Sequence, residues 1–483
     1  MTYQTLLGYL PAIMPELVLG GGIMLVLLYG VFRGERSLIS TALLTLLVLC
    51  VAAYYVVLGA SDARVLAFGG SVVIDPFASF LKLLILGASA VAMIMALEFL
   101  KHEKLNRFEY PVLIGLSALG MLIMVSANDL MVLYVGLEMQ SLALYVLAAF
   151  SRDNTRSTEA GLKYFVLGAL SSGMLLYGIS LIYGMSGTLN FDVLKGVIET
   201  QGMSIGLVIG MVFLAAGLAF KISAAPFHMW TPDVYEGAPT PVTAFFAAAP
   251  KVAAMGLFLR VLFGPFEAAV AQWQQIIIVL SVASMTLGAF AAIGQSNIKR
   301  LMAYSSIGHV GFALLGFVAG GEAGVKGVLI YLAIYVAMTL GAFICILAMR
   351  REGRQVEEIA DLSGLSTTQP GLALALLVLM FSMIGIPPFA GFWAKFYVFL
   401  PVVEQGLYWL AVVGFLASVV SAVYYLKILR VIYFDDPAPR FTEPSYPGNG
   451  VLLAMSVLFI TFFIFWPAPL LNAAGVAASS LVK

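Results

Sequence analysis

A charged side chain in an apolar setting is the first feature of this sequence that indicates chemistry. Residues 216–241 read AGLAFKISAAPFHMWTPDVYEGAPTP, so Lys221 lies in an apolar run, five residues ahead of Pro226. Burial favours the neutral form of a lysine, whereas a nearby carboxylate favours the charged form. A lysine held between these two influences can take up and release a proton near neutral pH. The stretch therefore predicts proton transfer.

Other titratable residues occupy similar settings. Glu138 lies in LMVLYVGLEMQSLALYVLAAF, Lys251 in TAFFAAAPKVAAMGLF and Lys395 in FSMIGIPPFAGFWAKFYVF. His228 follows the Lys221 stretch and His309 lies in AYSSIGHVGFALLG, and both add neutral groups that can accept a proton. Together these residues predict a chain of protonatable sites inside the protein.

Each of these residues also has a purely structural interpretation. A buried glutamate can be protonated and merely hydrogen-bonded between helices, and a single buried histidine is usually a satisfied core residue. A lysine close to a membrane surface can extend its amine to water, which suits Lys82 and Lys163 near the starts of their spans. Lys163 nevertheless stays an additional candidate for proton transfer. The same interpretation does not suit Lys221 or Lys251, which fall near the middle of theirs.

The composition places these residues in a membrane. Hydrophobic residues make up 62% of the 483 residues and charged residues only 10%, against about 25% charged in soluble domains. Apolar stretches long enough to cross a bilayer, about 20 residues each, recur along the chain. We predict an all-α polytopic membrane protein with about 14 transmembrane helices. The predicted spans are 11–31, 38–60, 74–98, 110–127, 129–150, 161–184, 203–236, 241–263, 274–294, 300–319, 325–349, 371–401, 407–431 and 450–470.

The distribution of basic residues predicts the orientation. Lys and Arg concentrate in the loops after odd-numbered spans, as at Lys101, Lys104 and Arg107. Because such loops stay on the cytoplasmic side, both termini should lie on the outer side of a bacterial inner membrane, or of the mitochondrial inner membrane in an organelle. The N-terminal residues lack the basic region and cleavage site of a signal peptide, so the first span should be retained.

Two predicted spans carry a break. The seventh and twelfth are longer than a crossing needs and contain SAAPF at 223–227 and IGIPPF at 384–389. Proline removes a backbone donor and clashes with the preceding turn. Irregular backbone at membrane depth survives only where it is buried in protein or lines a wet cavity. Transporters place ion sites at such discontinuous helices.

A weak internal repeat accompanies these breaks. APFHMW and PPFAGFW share a Pro-Phe pair followed by a tryptophan. We therefore predict two five-helix repeats, residues 110–263 and 274–431, between an N-terminal three-helix segment, 1–109, and a C-terminal helix segment, 432–483. Because five is an odd number, the two repeats would be inverted.

The sequence also excludes several kinds of function. Cys50 and Cys345 are too few for an iron–sulfur cluster, which needs about four thiolates, and both should pack in the core. No glycine motif for a nucleotide occurs, and no metal or nucleic-acid site is indicated. The charged segment RREGRQVEEIAD, residues 350–361, should be a solvated loop.

Three segments carry a resemblance to a known family. KISAAPFHMWTPDVYEGAPTPV, QSNIKRLMAYSSIGHVGF and GIPPFAGFWAKFYVF are similar to the antiporter-like membrane subunits of respiratory complex I, the proton-pumping NADH:quinone oxidoreductase. The resemblance spans nearly the whole chain. It implies two inverted five-helix repeats with discontinuous seventh and twelfth helices. Pro250, directly before Lys251, departs from the family pattern and should kink the eighth helix.

The resemblance also implies a mechanism. Quinone reduction elsewhere in the complex would change the interaction between Glu138 and Lys221. Protons would then pass between Lys221, Lys251 and Lys395, and Lys395 would face the outer exit. The remaining gaps would be bridged by His228, His309 and bound water.

Cofactors and partners follow from the same resemblance. This chain would bind no cofactor, because NADH, FMN, iron–sulfur clusters and quinone would belong to partner subunits. Its neighbours would be the antiporter-like subunit M, small membrane subunits such as K and J, and the lipid bilayer. Three alternatives stay open: a subunit of a multi-subunit sodium/proton antiporter, a membrane scaffold whose buried charges only fix packing, and a small-solute symporter.

Overall fold

The protein is almost entirely helical. The computed structural model describes residues 10–34, 37–60, 63–442 and 447–482. The helices are α1 (Met14–Arg33), α2 (Leu38–Leu58), α3 (Pro76–His102), α4 (Glu109–Val125), α5 (Leu130–Ala148), α6 (Thr155–Ser186), α7 (Phe191–Gln201), α8 (Ile205–Ile222), α9 (Thr231–Gly237), α10 (Thr240–Ala247), α11 (Ala249–Phe263), α12 (Val270–Ile293), α13 (Ile298–Ala319), α14 (Gly321–Leu347), α15 (Leu365–Thr368), α16 (Pro370–Ile384), α17 (Ala390–Glu404), α18 (Tyr408–Phe434), α19 (Pro447–Phe462) and α20 (Ala468–Leu481). Two antiparallel hairpins pair β1 (Val65–Ala67) with β2 (Val72–Ile74) and β3 (Arg350–Arg351) with β4 (Arg354–Gln355).

The helices confirm a polytopic membrane protein. Within the described part of the chain, 12 helical stretches are long and apolar enough to cross a membrane. The two further predicted spans are α4, with 17 residues, and the interrupted pair α16–α17, with 15 residues each. Residues 1–9, which include part of the segment argued to lack a signal peptide, lie outside the described residues.

Polar side chains begin many of the helices. Backbone N–H groups in the first turn have no partner within the helix, and a membrane offers none. Side-chain oxygens accept hydrogen bonds from these groups at the starts of α3, α5, α6, α7, α8 and α13. The capping residues are Asp75, Asp129, Asn154, Asn190, Ser204 and Asn297. These short polar residues fix where each helix starts.

Both predicted breaks are present. The seventh span divides into α8 and α9, and Ser223, directly after α8, has a positive φ of 64°. The twelfth divides into α16 and α17, and Gly385 after α16 has a φ of 94°. The positive φ stops each helix, and the prolines that follow cannot donate the next backbone hydrogen bond.

The eighth span is interrupted as well. We expected a kink at Pro250, but the helix stops at Ala247 and resumes as α11 at Ala249. Ala248 between them has φ −108° and ψ −92°. Pro250 lies in the first turn of α11, where its missing N–H would have no partner in the helix. The proline therefore starts the second half of the span, and Lys251 follows it directly.

Glycines allow neighbouring helices to approach closely. A Cβ on Gly178 of α6 would lie 2.7 Å from the Gly210 carbonyl oxygen of α8. A Cβ on Gly288 of α12 would lie 2.5 Å from the Gly308 nitrogen of α13. Small residues at helix contacts are typical of membrane proteins, where close packing replaces the hydrophobic driving force. These contacts hold the helices that carry the titratable residues.

Two expectations about single residues are wrong. Lys82 does not extend to water: its side chain is 4% exposed and its amine lies 2.5 Å from a Glu16 carboxylate oxygen. The acidic first turn of α1 supplies this partner. Cys50 is not in the core but exposed, whereas Cys345 is buried as expected. Cys50 lies on the outward face of α2, a peripheral helix that buries only one side.

Residues 350–361 do not form a simple solvated loop. Arg350 is 3% exposed and donates a hydrogen bond of 2.9 Å to Glu103. Glu357 accepts one of 2.8 Å from Lys299. The segment therefore forms ion pairs with other elements in both directions: Glu357 neutralises the buried Lys299, and Glu103 neutralises the segment's own Arg350. Three helices were also not predicted: the amphipathic α7, the short α15, and α20, whose Ser480 accepts a hydrogen bond from the Phe77 backbone.

Candidate functional site

Lys221 lies in the last turn of α8, directly before the break in the seventh span. Its side chain is buried, and its amine donates a hydrogen bond of 2.7 Å to the Ser141 hydroxyl. A second hydroxyl, that of Tyr145, lies 3.4 Å away. Because the C-terminal end of a helix carries partial negative charge, this position favours a cation.

Glu138 lies one turn before Ser141 on α5 and is half-buried. Its carboxylate accepts a hydrogen bond from the Ser172 hydroxyl of α6. Residues three apart share a helix face. The Glu138 carboxylate and Ser141, which binds the Lys221 amine, therefore lie on the same face of α5. The carboxylate and the amine form no ion pair within 4.0 Å among the described residues. The amine binds Ser141, one helical turn from Glu138, instead of the carboxylate.

Lys251 lies in the first turn of α11, after the break in the eighth span. The side chain is 2% exposed. Its amine donates a hydrogen bond to the Ser306 hydroxyl of α13, and Ser306 is bonded in turn to the Tyr335 hydroxyl of α14 at 2.7 Å. The amine also lies 5.6 Å from the centre of the Tyr235 ring.

His309 continues this polar region one turn along α13 from Ser306. Its Nδ1 lies 2.7 Å from the Tyr331 hydroxyl, and its Nε2 lies 3.1 Å from the Tyr425 hydroxyl. A small cavity lined by Lys251, His309, Tyr331 and Tyr335 separates the two hydrogen-bonded groups. Its volume is about 10 Å³, and its remaining lining residues, Met255, Val310, Ala313 and Leu332, are apolar.

Lys395 lies in the second half of the interrupted twelfth span. The side chain is 8% exposed. Its amine donates hydrogen bonds of 2.7 Å to the Ile384 carbonyl and to the Ser418 hydroxyl. Ile384 is the last residue of α16, so the amine occupies the negative end of that half-helix. The Phe312 ring lies 4.5 Å from the amine and adds a cation–π contact.

The other two predicted residues are not part of this region. His228 is half-buried in the segment between α8 and α9, and its Nδ1 has no hydrogen-bond partner among the described residues. Lys163 is 41% exposed and binds Glu159 and Asp233, each at 2.7 Å. It is one member of a charged surface cluster that also includes Arg300.

Ion pairing divides the buried cations into two groups. The first comprises Lys82, Arg260, Lys299 and Arg350, and each has a carboxylate oxygen within 2.9 Å. The second comprises Lys221, Lys251 and Lys395, which have only hydroxyl and carbonyl partners within the described part of the chain. A buried charge without a partner is strongly destabilising. Lysine can avoid this cost by releasing its proton, and arginine cannot.

Sequence reasoning missed the hydroxyl partners. Ser141, Ser306 and Ser418 bind the three lysines. Tyr335 and Tyr425 extend the hydrogen-bonded groups. A signal existed in two places, because Ser141 follows Glu138 by three residues and Ser306 precedes His309 by three. That spacing puts each serine on the same helix face as a titratable residue.

An aromatic cluster separates Lys221 from Lys251. The Tyr145 ring, 5.7 Å from the Lys221 amine, packs edge-on against Tyr164, whose ring is stacked on Trp230 at 4.3 Å. Trp230 contacts the Tyr235 ring, which faces Lys251. No chain of direct hydrogen bonds joins the two lysines within the described residues. A proton passing between them needs water or movement of these rings.

Comparisons with known proteins are consistent with this arrangement. The family described as NADH:quinone oxidoreductase/Mrp antiporter, TM matches residues 127–421. A relative from Parvibaculum lavamentivorans, named NADH-quinone oxidoreductase subunit N, is 58% identical over 99% of both chains.

Two solved structures share the fold. One is a chain of respiratory complex I from Thermus thermophilus, with a TM-score of 0.80 and 32% identity over 96% of this chain and 99% of that one. The other belongs to the Mrp complex from Dietzia, with a TM-score of 0.87 and 22% identity over 100% and 98% of the two chains. At that lower identity the likeness concerns the fold alone.

Proposed function

Because the chain belongs to the NADH:quinone oxidoreductase/Mrp antiporter transmembrane family, we propose that it translocates protons in the membrane arm of an NADH-quinone oxidoreductase, as a subunit of the N type. The redox chemistry takes place in partner subunits, and this chain moves protons in response. The enzyme as a whole is then a proton-pumping translocase.

One observation carries this proposal. Lys221, Lys251 and Lys395 are buried without a carboxylate, whereas every other buried cation described has one. A scaffold has no reason to leave lysines unpaired, because an ion pair or an apolar residue is less costly in the same place. A proton pump needs such groups, since a lysine without a fixed counter-charge can exist in both protonation states.

The mechanism uses the same groups. A change of charge next to Glu138, a half-buried residue of α5, alters the proton affinity of Lys221 through a poorly screened interaction. Protons then move among Lys221, Lys251 and Lys395 through the serine and tyrosine hydroxyls, with water filling the gaps. His309 connects Lys251 to the last part of the path, and Lys395 delivers the proton to the outer side.

The finer assignments follow from the proposed role. The loops after the odd-numbered spans lie on the inner side of a bacterial inner membrane, and both termini lie on the outer side. The neighbours are the antiporter-like subunit M and small subunits such as K and J. NADH, FMN, iron–sulfur clusters and quinone are held by other subunits. The two inverted repeats comprise residues 110–263 and 274–431.

The first test replaces Lys221→Ala and, separately, Glu138→Ala in the assembled complex. Because each change removes a group that exchanges or controls protons, NADH:quinone turnover and proton pumping should fall together, by about tenfold or more. Lys427→Ala is the matched control, since Lys427 is an exposed lysine of α18. Unchanged turnover and pumping in both variants, at normal assembly, would leave the buried lysines a packing role.

The sodium/proton antiporter alternative has a separate test. The Mrp protein from Dietzia has the same fold at 22% identity, compared with 58% for the oxidoreductase relative. Purification of the chain with its native partners should recover NADH oxidation and flavin in the same particle. Recovery of sodium/proton exchange without either would favour the antiporter.

A further inference from the structure

A wide polar cavity opens on one end of the molecule. This end carries the connections 103–108, 149–154, 294–297 and 348–364. The cavity has a volume of about 420 Å³ and is called the vestibule here. Its lining includes Glu103, Arg156, Glu236, Lys299, Arg354 and Glu357. Such a polar space is large enough to hold many waters.

A thin wall separates the vestibule from the buried lysines. Residues 236–240, at the end of α9 and the start of α10, line the vestibule. The Ala238 carbonyl in this wall accepts a hydrogen bond of 3.0 Å from Lys299. Tyr235 immediately precedes these residues, is 0% exposed, and has its ring 5.6 Å from the Lys251 amine. Tyr235 thus joins two neighbourhoods: the residues that follow it line the vestibule, and its own ring faces the Lys251 amine.

The Tyr235 hydroxyl is only partly satisfied. The Ser306 side chain interacts with it and Tyr335 lies nearby, but no contact among the described residues has the full geometry of a hydrogen bond. A buried hydroxyl without a partner is costly, and ordered water is the usual way to satisfy such a group. Ser306 itself holds the Lys251 amine. A water molecule beside Tyr235 would thus be separated from the Lys251 amine by the Ser306 hydroxyl alone.

We infer that the Tyr235 hydroxyl is the relay that passes protons from the vestibule to Lys251. In each transfer the hydroxyl oxygen accepts a proton from vestibule water, and the same hydroxyl gives its own proton to the Ser306 side. Neutral Lys251 takes up the proton from the Ser306 side. One proton therefore leaves the vestibule for each proton that reaches Lys251, and Tyr235 ends as a neutral hydroxyl, as it began. The inference rests on the proposed function and assigns an uptake path to it.

The test uses Tyr235→Phe in the assembled complex, which removes one hydroxyl and leaves the ring packing intact. Tyr110→Phe is a close control, because the Tyr110 hydroxyl is also fully buried and without a partner but lies on α4, away from the lysines. We expect at least about a tenfold loss of proton pumping and coupled turnover in Tyr235→Phe and wild-type values in Tyr110→Phe. Equal activity of the two variants would overturn the relay.

A parallel variant separates failure of the relay from failure of the proposed function. Lys251→Ala should abolish pumping if that function is right. Loss in Lys251→Ala with full activity in Tyr235→Phe would reject the relay and keep the function, whereas full activity in Lys251→Ala would reject both. A larger solvent isotope effect on turnover in Tyr235→Phe than in wild type is also expected, because proton uptake would then limit the rate. An unchanged isotope effect would count against the relay.

Discussion

At the residue scale, the partner of each buried cation decides whether that residue stays protonated or can exchange its proton. Arg260 donates hydrogen bonds to both carboxylate oxygens of Asp75, whereas the Lys251 amine has a single hydroxyl acceptor. The first arrangement keeps the guanidinium charged at all times. The second stabilises the charged lysine only partly, so its proton can leave. Hydroxyls also bond to a neutral amine, which lets one site hold both forms.

A charge-conserving substitution tests this distinction. Lys251→Arg keeps the positive charge and the hydrogen-bond donors, but a guanidinium does not release its proton. We expect coupled turnover and pumping to fall by about 100-fold, the scale of a lost proton-transfer group. Lys82→Arg is the control, because Glu16 keeps that position paired. Comparable activity of the two variants would show that Lys251 does not need to lose its charge.

At the element scale, the interruption of the twelfth span brings a backbone carbonyl to Lys395. The Lys395 amine binds the Ile384 carbonyl, which an uninterrupted helix would have paired with its own backbone. Lys221 lies in the last turn of α8, but its amine binds hydroxyls of α5 instead of a carbonyl. A broken helix thus supplies a fixed partial negative charge at membrane depth without introducing a carboxylate. This stabilises a cation while leaving its proton transferable.

Gly385 gives a test of the break itself. Its φ is +94°, and an added Cβ would lie 3.0 Å from the Lys395 side chain. Gly385→Ala should therefore destabilise the protein by about 1–3 kcal/mol and displace Lys395, reducing pumping. Gly371→Ala, at the other end of α16 with open space around it, should be neutral or slightly stabilising. Thermal unfolding of the purified complex and its turnover measure both effects, and equal values for the two variants would contradict this role of the break.

At the scale of the whole molecule, a buried ion pair joins the N-terminal helices to the first broken-helix region. Arg260 of α11 binds Asp75, the residue before α3, through two hydrogen bonds of 2.8 Å. It also donates to the Val125 carbonyl at the end of α4. Burial opposes ionisation of Asp75, but the Arg260 guanidinium and the Ala78 backbone amide hold the pKa of its carboxyl below the ordinary value. Three helices thus meet at one charged contact.

Removing one partner of this ion pair should destabilise the protein more than removing both partners. Asp75→Asn leaves the Arg260 charge buried and unpaired, at a cost of about 3–5 kcal/mol. The double variant Asp75→Asn, Arg260→Met should recover much of that loss. Thermal unfolding of the purified complex measures both, and a double variant less stable than Asp75→Asn would contradict the argument.

The same pair predicts a pH dependence. Because the folded pKa of Asp75 is depressed, its contribution to stability is complete above the ordinary carboxyl value, about pH 4, and is lost as the pH falls through the folded value. The difference in stability between wild type and the double variant should therefore shrink in acid. A difference that does not change below about pH 4 would show that Asp75 is not ionised in the folded protein.

The sequence by itself determined the membrane class, the positions of the spans, the two proline-containing breaks, the buried Lys221, Lys251 and Lys395, and the half-buried Glu138. These follow from local properties, since apolar length, proline chemistry and the cost of a buried charge depend on a few neighbouring residues. Only the tertiary structure decided that Lys82 is paired with Glu16, that Lys299 is paired with Glu357, and that His228 stands apart from the polar region. A partner on a distant segment leaves no trace in local sequence. Whether a buried cation is fixed or free to exchange its proton therefore depends on how the helices pack.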